Sequence, residues 1–247
     1  MTVFQMEIKF TSDDKNLNVE PESERVILKK NHFHVHAAHH IICRELYAKQ
    51  KQKAQEKQQQ VLKHNGHYIV RNCIASHEAN QISKMIDDVI KHQVFPMMDI
   101  VPFGELRRVL VSLLPKIFQP MNTLLIENYL GSYFRVVETQ LYRTQIGSGQ
   151  TNISCKWHRD AAPMAQLHLL LYLTSRHQND PGTQILSLSD TLRMAKYGYS
   201  YGPFDERLDN LSTVLPNDVP LPEIIDPEFE AGDAIIFSAP RMLHKGL

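Results

Sequence analysis

The sequence lacks long apolar runs, and its first residues do not have the pattern of a secretion signal. No stretch of its 247 residues approaches the roughly 18 consecutive apolar residues that a membrane-spanning helix needs. The opening segment, MTVFQMEIKFTSDD, places polar and acidic side chains where a signal peptide has its apolar core. We therefore expect a cytoplasmic protein with no membrane partner.

The chain also lacks an excess of charge and a pattern of paired cysteines. Lys+Arg and Asp+Glu both number 27, so no overall field attracts nucleic acid or an anionic membrane, and nucleic-acid binding is disfavoured. The cysteines are Cys43, Cys73 and Cys155, an odd number without a CxxC pattern. Such cysteines are typical of reduced thiols in a cytosol, and we expect no disulfide.

Residues 1–63 are predicted to be an N-terminal extension. Between Tyr47 and Val61 the chain is rich in Gln and Lys and has almost no apolar residues, so a helix there is polar on all sides and solvated. An exposed extension or linker is favoured over an arm that binds a partner. Five histidines precede this segment and could chelate a divalent metal opportunistically, although no carboxylate or cysteine joins them: His32, His34, His36, His39 and His40.

Residues 64–247 are predicted to form one domain with helices before strands. Two amphipathic stripes at helical spacing indicate helices packed on a core; they comprise Ile82, Met85, Ile86, Val89 and Ile90, then Leu106, Val109, Leu110, Leu113 and Leu114. Pro115 is expected to end or kink the second helix.

Short apolar runs rich in β-branched residues follow from about residue 133. YFRVVETQLYRT, QLHLLLYLT, TQILSLS and DAIIFSA are separated by Gly, Pro, Asn and Asp, as strands are. Residues 189–227 appear as a long irregular loop of the kind that often serves as a lid or binding loop. The expected fold is α+β: a jelly-roll, or double-stranded β-helix, with the N-terminal helices packed on it.

The segment KWHRDAAP, residues 156–163, carries a candidate metal site. Side chains two positions apart in an extended segment point the same way, so His158 and Asp160 can reach one ion. His244 follows the strand DAIIFSA, where a jelly roll would return the chain to them. Two imidazoles and one carboxylate form the facial triad of non-heme Fe(II) oxygenases. A His-x-Asp pair alone is expected by chance in a chain with 13 histidines, so the surrounding motifs decide.

Those motifs, in order, resemble the phytanoyl-CoA dioxygenase family of Fe(II)/2-oxoglutarate-dependent oxygenases. They are NGHYIVRNCI before a striped helix, WHRDAAP, LHLLLYLT, PGTQILSLSD and EAGDAIIFSAPRMLHKG. The resemblance covers roughly residues 64–247. It implies that His158, Asp160 and His244 bind Fe(II), and that 2-oxoglutarate is decarboxylated to succinate as O2 is used to oxidise a C–H bond of a small metabolite or acyl derivative. In related halogenases a small residue replaces this carboxylate, so the presence of Asp160 favours hydroxylation.

One family feature is not found in the sequence. The resemblance implies an arginine, on the strand after the distal histidine, that binds the far carboxylate of 2-oxoglutarate, whereas this sequence continues for three residues beyond His244. We therefore expect the last strand of the jelly roll to be missing and the chain to be truncated, or another cation to substitute. Arg143 and Lys156 are the candidates, and weak 2-oxoglutarate binding is expected.

Strand parity predicts further residues that line the pocket. Gln140 and Tyr142 share one face of the strand before the motif, and His168, Leu170 and Tyr172 share one face of the strand after it. We predict that Gln140, Tyr142 and Leu170 contact the co-substrate. A buried structural histidine is favoured for His168, and packing is favoured for Tyr172.

Two other functions fit the same residues. A catalytically impaired oxygenase fold could bind a ligand without turnover, and a cupin-like metal enzyme could act without 2-oxoglutarate. The identity of the substrate and the oligomeric state do not follow from the sequence, because fold does not determine function.

Overall fold

A computed structural model describes residues 2–11, 46–47, 56–90, 99–100, 103–145, 153–161, 165–178, 180–200 and 205–246. The helices are α1 (Glu56–Asn65), α2 (Ser76–Ile90), α3 (Phe103–Ile117), α4 (Pro120–Leu130) and α5 (Leu188–Lys196). The strands are β1 (Thr2–Thr11), β2 (His67–Val70), β3 (Asp99–Ile100), β4 (Arg135–Gln145), β5 (Gln166–Tyr172), β6 (Thr183–Leu186), β7 (Ile224–Ile225), β8 (Ala234–Phe237) and β9 (His244–Gly246). Short 3-10 helices span Ile153–Cys155 and Leu211–Thr213.

The two predicted amphipathic helices pack on a common hydrophobic core. Ile86 of α2 and Val109 and Leu113 of α3 are buried in one cluster with the inward side chains of β5. Of the two outcomes expected at Pro115, an end of the helix does not occur, since α3 continues to Ile117. Pro115 has no N–H to donate to the Val111 carbonyl one turn earlier, so the helix continues past it without that hydrogen bond.

Helix α4 was not predicted, although the residues at its two ends are typical helix boundaries. Pro120 is its first residue, where a missing N–H removes no helical hydrogen bond. Gly131 follows its last turn with φ 62° and donates its N–H to the Glu127 carbonyl. A left-handed residue at that position closes the helix, and glycine adopts it at little cost.

Two antiparallel sheets form the β part of the structure. The larger sheet has the strand order β2-β8-β5-β1-β4-β3, and the smaller has the order β7-β6-β9. Strand β5 is buried on both faces: Leu167, Leu169 and Leu171 face the helices, whereas Leu170 and Tyr172 belong to a second apolar cluster on the other face. The mixed helix and antiparallel-sheet class is as expected, while the jelly-roll topology stays a prediction.

Strand β1 occupies the middle of the larger sheet, which corrects the expectation for the start of the chain. Residues 2–11 pair with β4 on one side and β5 on the other, and Gln5 is only 2% exposed. These residues are therefore part of the sheet and not an appendage. The alternation of Phe4, Met6, Ile8 and Phe10 with polar residues is the period-2 pattern of a half-buried strand.

The polar segment 41–63 also contributes to the core at its end. Leu62 of α1 is fully buried among residues of α4 and the sheet, so the expectation that this segment contributes little to the core is wrong for Leu62. A single large apolar residue was enough to anchor a helix without a stripe. The histidine-rich residues 32–40 lie outside the described residues, and the domain boundary at residue 63 stays a prediction.

Residues 189–227 are more regular than expected. They include most of α5, a 3-10 helix and β7. Ser187 caps α5 by accepting a hydrogen bond from the Asp190 amide at 3.0 Å. Serine followed three residues later by an acidic residue is a helix-start signal, and here it follows β6 directly.

Among the described helices, none is by itself long and apolar enough to cross a membrane. One pair of consecutive helical segments has the required length and composition, but the chain bends by 83° between them: Arg107–Ile117 and Pro120–Leu130.

Proline in the middle of β1 should destabilise the protein, because Ile8 pairs with both β4 and β5. Ile8→Pro removes a ladder N–H and leaves a buried acceptor unpaired, at a cost of about 1–3 kcal/mol. For a domain of this size, each kcal/mol lowers Tm by roughly 2–4 °C. Thr2→Pro, at the first residue of the strand, is the control. Equal Tm values for the two variants in thermal unfolding would contradict a central β1.

Cys73 should resist alkylation in the native protein. Its side chain is buried in the helix-side core, and burial, with the charge of Asp233, raises the pKa of the thiol to about 12. At pH 8 almost no reactive thiolate forms there. Mass spectrometry after iodoacetamide treatment should show Cys155, which is partly exposed, modified first. Cys73 should react only in denaturant, and rapid modification of native Cys73 would count against this core.

Candidate metal centre

The site begins with a direct backbone pairing of the two histidines. The His158 amide donates to the His244 carbonyl at 3.0 Å, and the His244 amide donates to the His158 carbonyl at 2.8 Å. This antiparallel bridge joins two segments far apart in sequence, and it places the imidazole rings with centroids 4.4 Å apart. On its other side His244 pairs with Ile185 of β6. The distal histidine is therefore held between two backbone partners.

Asp160 completes a cluster of three metal-ligand types. Its Oδ1 lies 3.6 Å from Nε2 of His158 and 3.5 Å from Nε2 of His244. One ligand atom from each of the three residues lies within 4.8 Å of the others. The Asp160 amide donates to the Ala239 carbonyl at 3.2 Å, which ties this segment to the chain after β8. The structure thus brings together the three residues predicted from the sequence.

Both histidines have the tautomer that a metal requires. Nδ1 of His158 lies 2.7 Å from the Lys156 carbonyl, and Nδ1 of His244 lies 3.0 Å from the Met242 carbonyl. A carbonyl only accepts, so Nδ1 carries the proton that it donates there. The Nε2 lone pairs are then directed at Asp160, where an ion would bind. Outer hydrogen bonds of this kind are the usual means of orienting ligand histidines.

Electrostatics keeps the cluster suited to a cation. Burial, together with repulsion from His244, lowers the pKa of His158 to about 4, so its imidazole is neutral and able to ligate at pH 7. Burial alone would raise the pKa of Asp160, but the histidines that face its carboxylate, His244 above all, lower it below its ordinary range. A deprotonated carboxylate and neutral imidazoles are the forms that bind divalent metals.

A further polar pair lies directly behind Asp160. Nε2 of His168 is 3.3 Å from Asp160 Oδ2, and Nδ1 of His168 is 2.7 Å from Glu7 Oε1. His168 thus lies between a candidate ligand and β1. Sequence reasoning did not identify Glu7, because the segment that contains it was assigned to an extension.

The residues predicted to line the pocket occupy positions on one face of the larger sheet. Gln140 and Leu170 both pair in register with Glu7, so they share the face that carries His168. Tyr142 pairs with Gln5, two positions along the same strands. These placements agree with the parity argument, and contact of these residues with a co-substrate stays a prediction.

The two predicted cations are placed differently. Arg143 lies on the helix side of β4, where its Nη1 is 2.9 Å from Asp87 of α2. Successive residues of a strand face opposite sides, so Arg143 does not share a face with Gln140, and contact of Arg143 with the co-substrate stays a prediction. Lys156 is adjacent to the site in sequence, but its ammonium lies 4.0 Å from the exposed carboxylate of Asp209.

Comparison with known proteins gives similarities to solved structures only. No family model matches the chain, and no curated protein sequence matches it. One similar structure is SnoK, a non-heme alpha ketoglutarate dependent carbocyclase from nogalamycin biosynthesis, with TM-score 0.41 and 9% identity over 78% of each chain.

Two further similar structures are of the same kind. The epimerase SnoN in complex with Fe3+, alpha ketoglutarate and nogalamycin RO has TM-score 0.43 and 10% identity, over 77% of this chain and 76% of its own. HygX from Streptomyces hygroscopicus, with nickel and 2-oxoglutarate bound, has TM-score 0.45 and 13% identity, over 78% of this chain and 80% of its own. Similarities this distant assign no activity to the chain.

Removing one ligand of the cluster should abolish tight metal binding. Asp160→Asn and His244→Ala should each lower the affinity for Co(II) by more than about 100-fold, since loss even of an outer-shell partner costs 10–100-fold. Isothermal titration of the metal-stripped protein measures this. Asp218→Asn, at an exposed aspartate away from the cluster, is the control. Unchanged affinity in both ligand variants would show that metal binds elsewhere.

Proposed function

We propose that this protein is a non-heme Fe(II)/2-oxoglutarate-dependent dioxygenase that hydroxylates a small metabolite or acyl derivative. The observation that carries the proposal is the cluster of His158, Asp160 and His244. Two imidazoles and one carboxylate on one side of an ion leave its other positions open, and that ligand set is typical of Fe(II) oxygenases. The finer assignment, a jelly-roll protein similar to phytanoyl-CoA dioxygenases, rests on the order of the sequence motifs.

The cluster fits a catalytic metal with open positions better than a structural one. It contains no thiolate, which argues against a structural zinc site of the cysteine type, and its three ligands leave room for a co-substrate that chelates the ion. When bound there, iron with 2-oxoglutarate and O2 supplies the oxidation of a C–H bond, with succinate as the product of the co-substrate. The residues of the chain hold the ion, orient its ligands and limit the access of water.

Apolar side chains around the histidines limit the access of water to the metal site. The ring of Phe237 packs edge-on against His244, with centroids 5.4 Å apart, and the side chain of Trp157, beside His158, is buried. Both histidines are less than 10% exposed, whereas Asp160 is partly open. A substrate would thus approach from the Asp160 side, over the face of β4, β1 and β5.

Lys9 is the cation on this face that we propose for the far carboxylate of the co-substrate. It pairs in register with His168 on β5 and with Glu138 on β4. Its ammonium lies 3.0 Å from Glu138 and 3.8 Å from Glu7, so an incoming carboxylate would compete with two existing ones. That competition is consistent with modest affinity for 2-oxoglutarate.

Succinate formation tests the proposed reaction. The protein loaded with Fe(II) should convert 2-oxoglutarate to succinate under O2, and Asp160→Ala should abolish this because one of three iron ligands is lost. Chromatographic detection of succinate separates the proposal from its alternatives. A protein that binds iron without ever forming succinate would instead be a cupin-like enzyme or a catalytically impaired binding protein.

The cation is tested by binding, not by turnover. Under anaerobic conditions, titration of 2-oxoglutarate into the Fe(II) protein should produce a metal-to-ligand charge-transfer band. Lys9→Met should weaken this titration by roughly tenfold or more, the equivalent of about 1.4 kcal/mol. Arg143→Met, which removes a cation from the opposite face of the same sheet, should leave it unchanged. If only Arg143→Met weakened the binding of 2-oxoglutarate, Arg143 and not Lys9 would be the cation that binds the far carboxylate.

A further inference from the structure

We propose that Glu7 and His168 are positioning residues of the metal centre: strand β1 holds Asp160 in its ligating orientation through His168. This inference rests on the proposed metal site, and it assigns to the first residues of the chain a part in that site. It requires contact from Glu7 to His168, contact from His168 to Asp160, and a reason why Asp160 needs such support.

The contacts divide the two oxygens of Asp160 between two tasks. Oδ1 faces the Nε2 atoms of His158 and His244, at 3.6 and 3.5 Å. Oδ2 faces Nε2 of His168 at 3.3 Å. One oxygen is therefore directed to the position of the ion, while the other is held from behind. A ligand carboxylate that is itself hydrogen-bonded is the usual outer-shell arrangement of metal sites.

Asp160 needs this support because its own segment constrains it weakly. It lies outside the regular strands, and its side chain is 27% exposed. Its backbone N–H donates one hydrogen bond, to the Ala239 carbonyl. The terminal torsion of an aspartate is broad and roughly two-fold, so the backbone alone does not fix which oxygen faces the ion. A rigid neighbour must do so.

His168 is rigid in the required way. It lies within β5, its side chain is 3% exposed, and its ring packs against Phe237 with centroids 5.6 Å apart. Glu7 Oε1 lies 2.7 Å from its Nδ1, which sets the rotation of the ring. Its Nδ1 thus faces Glu7, while its Nε2 faces both Asp160 Oδ2 and the side-chain amide of Gln166, which lies 3.0 Å away.

Glu7 is in turn positioned by strand pairing on both sides. Its register partners are Gln140 on β4 and Leu170 on β5, so the backbone that carries this side chain is fixed on both sides. Although burial alone would raise the pKa of Glu7, its hydrogen bond and charge interaction with His168 lower it. Nδ1 of His168 thus faces a carboxylate that is deprotonated at neutral pH.

Cobalt binding to the 247-residue protein tests the inference. Co(II) is titrated into the metal-stripped wild type, Glu7→Gln, His168→Gln and the double variant, and both the dissociation constant and the d–d absorption band are recorded. Each single variant should weaken binding by about 10–100-fold and should shift or broaden the band. Because Glu7 acts through His168, the double variant should be no weaker than His168→Gln alone.

Glu138→Gln is the matched control. It removes a carboxylate of the same type from the same face, and that carboxylate contacts Lys9 and Gln140. It should leave both the dissociation constant and the spectrum unchanged. An equal effect of Glu138→Gln would attribute the loss to net charge and overturn the positioning role.

Two other results also decide the matter. If Glu7→Gln lowers Tm but leaves the Co(II) affinity and spectrum of the folded protein unchanged, Glu7 is a stability residue and the inference fails while the proposed function stands. If the wild type itself binds no Co(II), the proposed metal site fails and the inference falls with it. Glu7→Gln is the more conservative change, so it decides the test should His168→Gln not fold.

Discussion

The metal centre depends on one antiparallel backbone pair, the two hydrogen bonds between His158 and His244. These bonds bring together two segments that belong to different parts of the fold and set the two rings side by side. The three-stranded sheet supports this pair, because β9 begins at His244 and pairs with β6. Without the pair, the carboxylate of Asp160 would face one imidazole instead of two.

The larger sheet contributes the second half of the site. Strand β5 presents leucines to the helices and His168 to the opposite side, so the same seven residues serve the core and the metal centre. Strand β1 lies beside it and adds Glu7, with Lys9 two residues on. A site built in this way couples stability to function: the buried ladder that holds the sheet together also determines which polar groups meet Asp160.

Prediction from the sequence succeeded where a pattern was local. The stripes of α2 and α3, the strands β4, β5, β6 and β8, and the shared direction of His158 and Asp160 all follow from spacings of two to four residues. Local signals were also missed. The alternation around Glu7 marks a strand, and Ser187 with Asp190 marks a helix start. They were missed because a polar N-terminal region and a long inter-strand segment had been assigned to extension and loop.

The sequence by itself determined which side chains share a face and which residue types are available as ligands. Parity along β4 already separates Gln140 from Arg143, since successive side chains of a strand point to opposite sides. Only the tertiary structure decided which strands are neighbours. It placed β1 between β4 and β5, and it thereby brought Glu7 to His168 and turned Arg143 toward Asp87. The physical reason is that the hydrophobic periodicity of a strand or helix is a property of residues close together in the sequence. Strand pairing depends instead on how the whole chain buries its apolar surface.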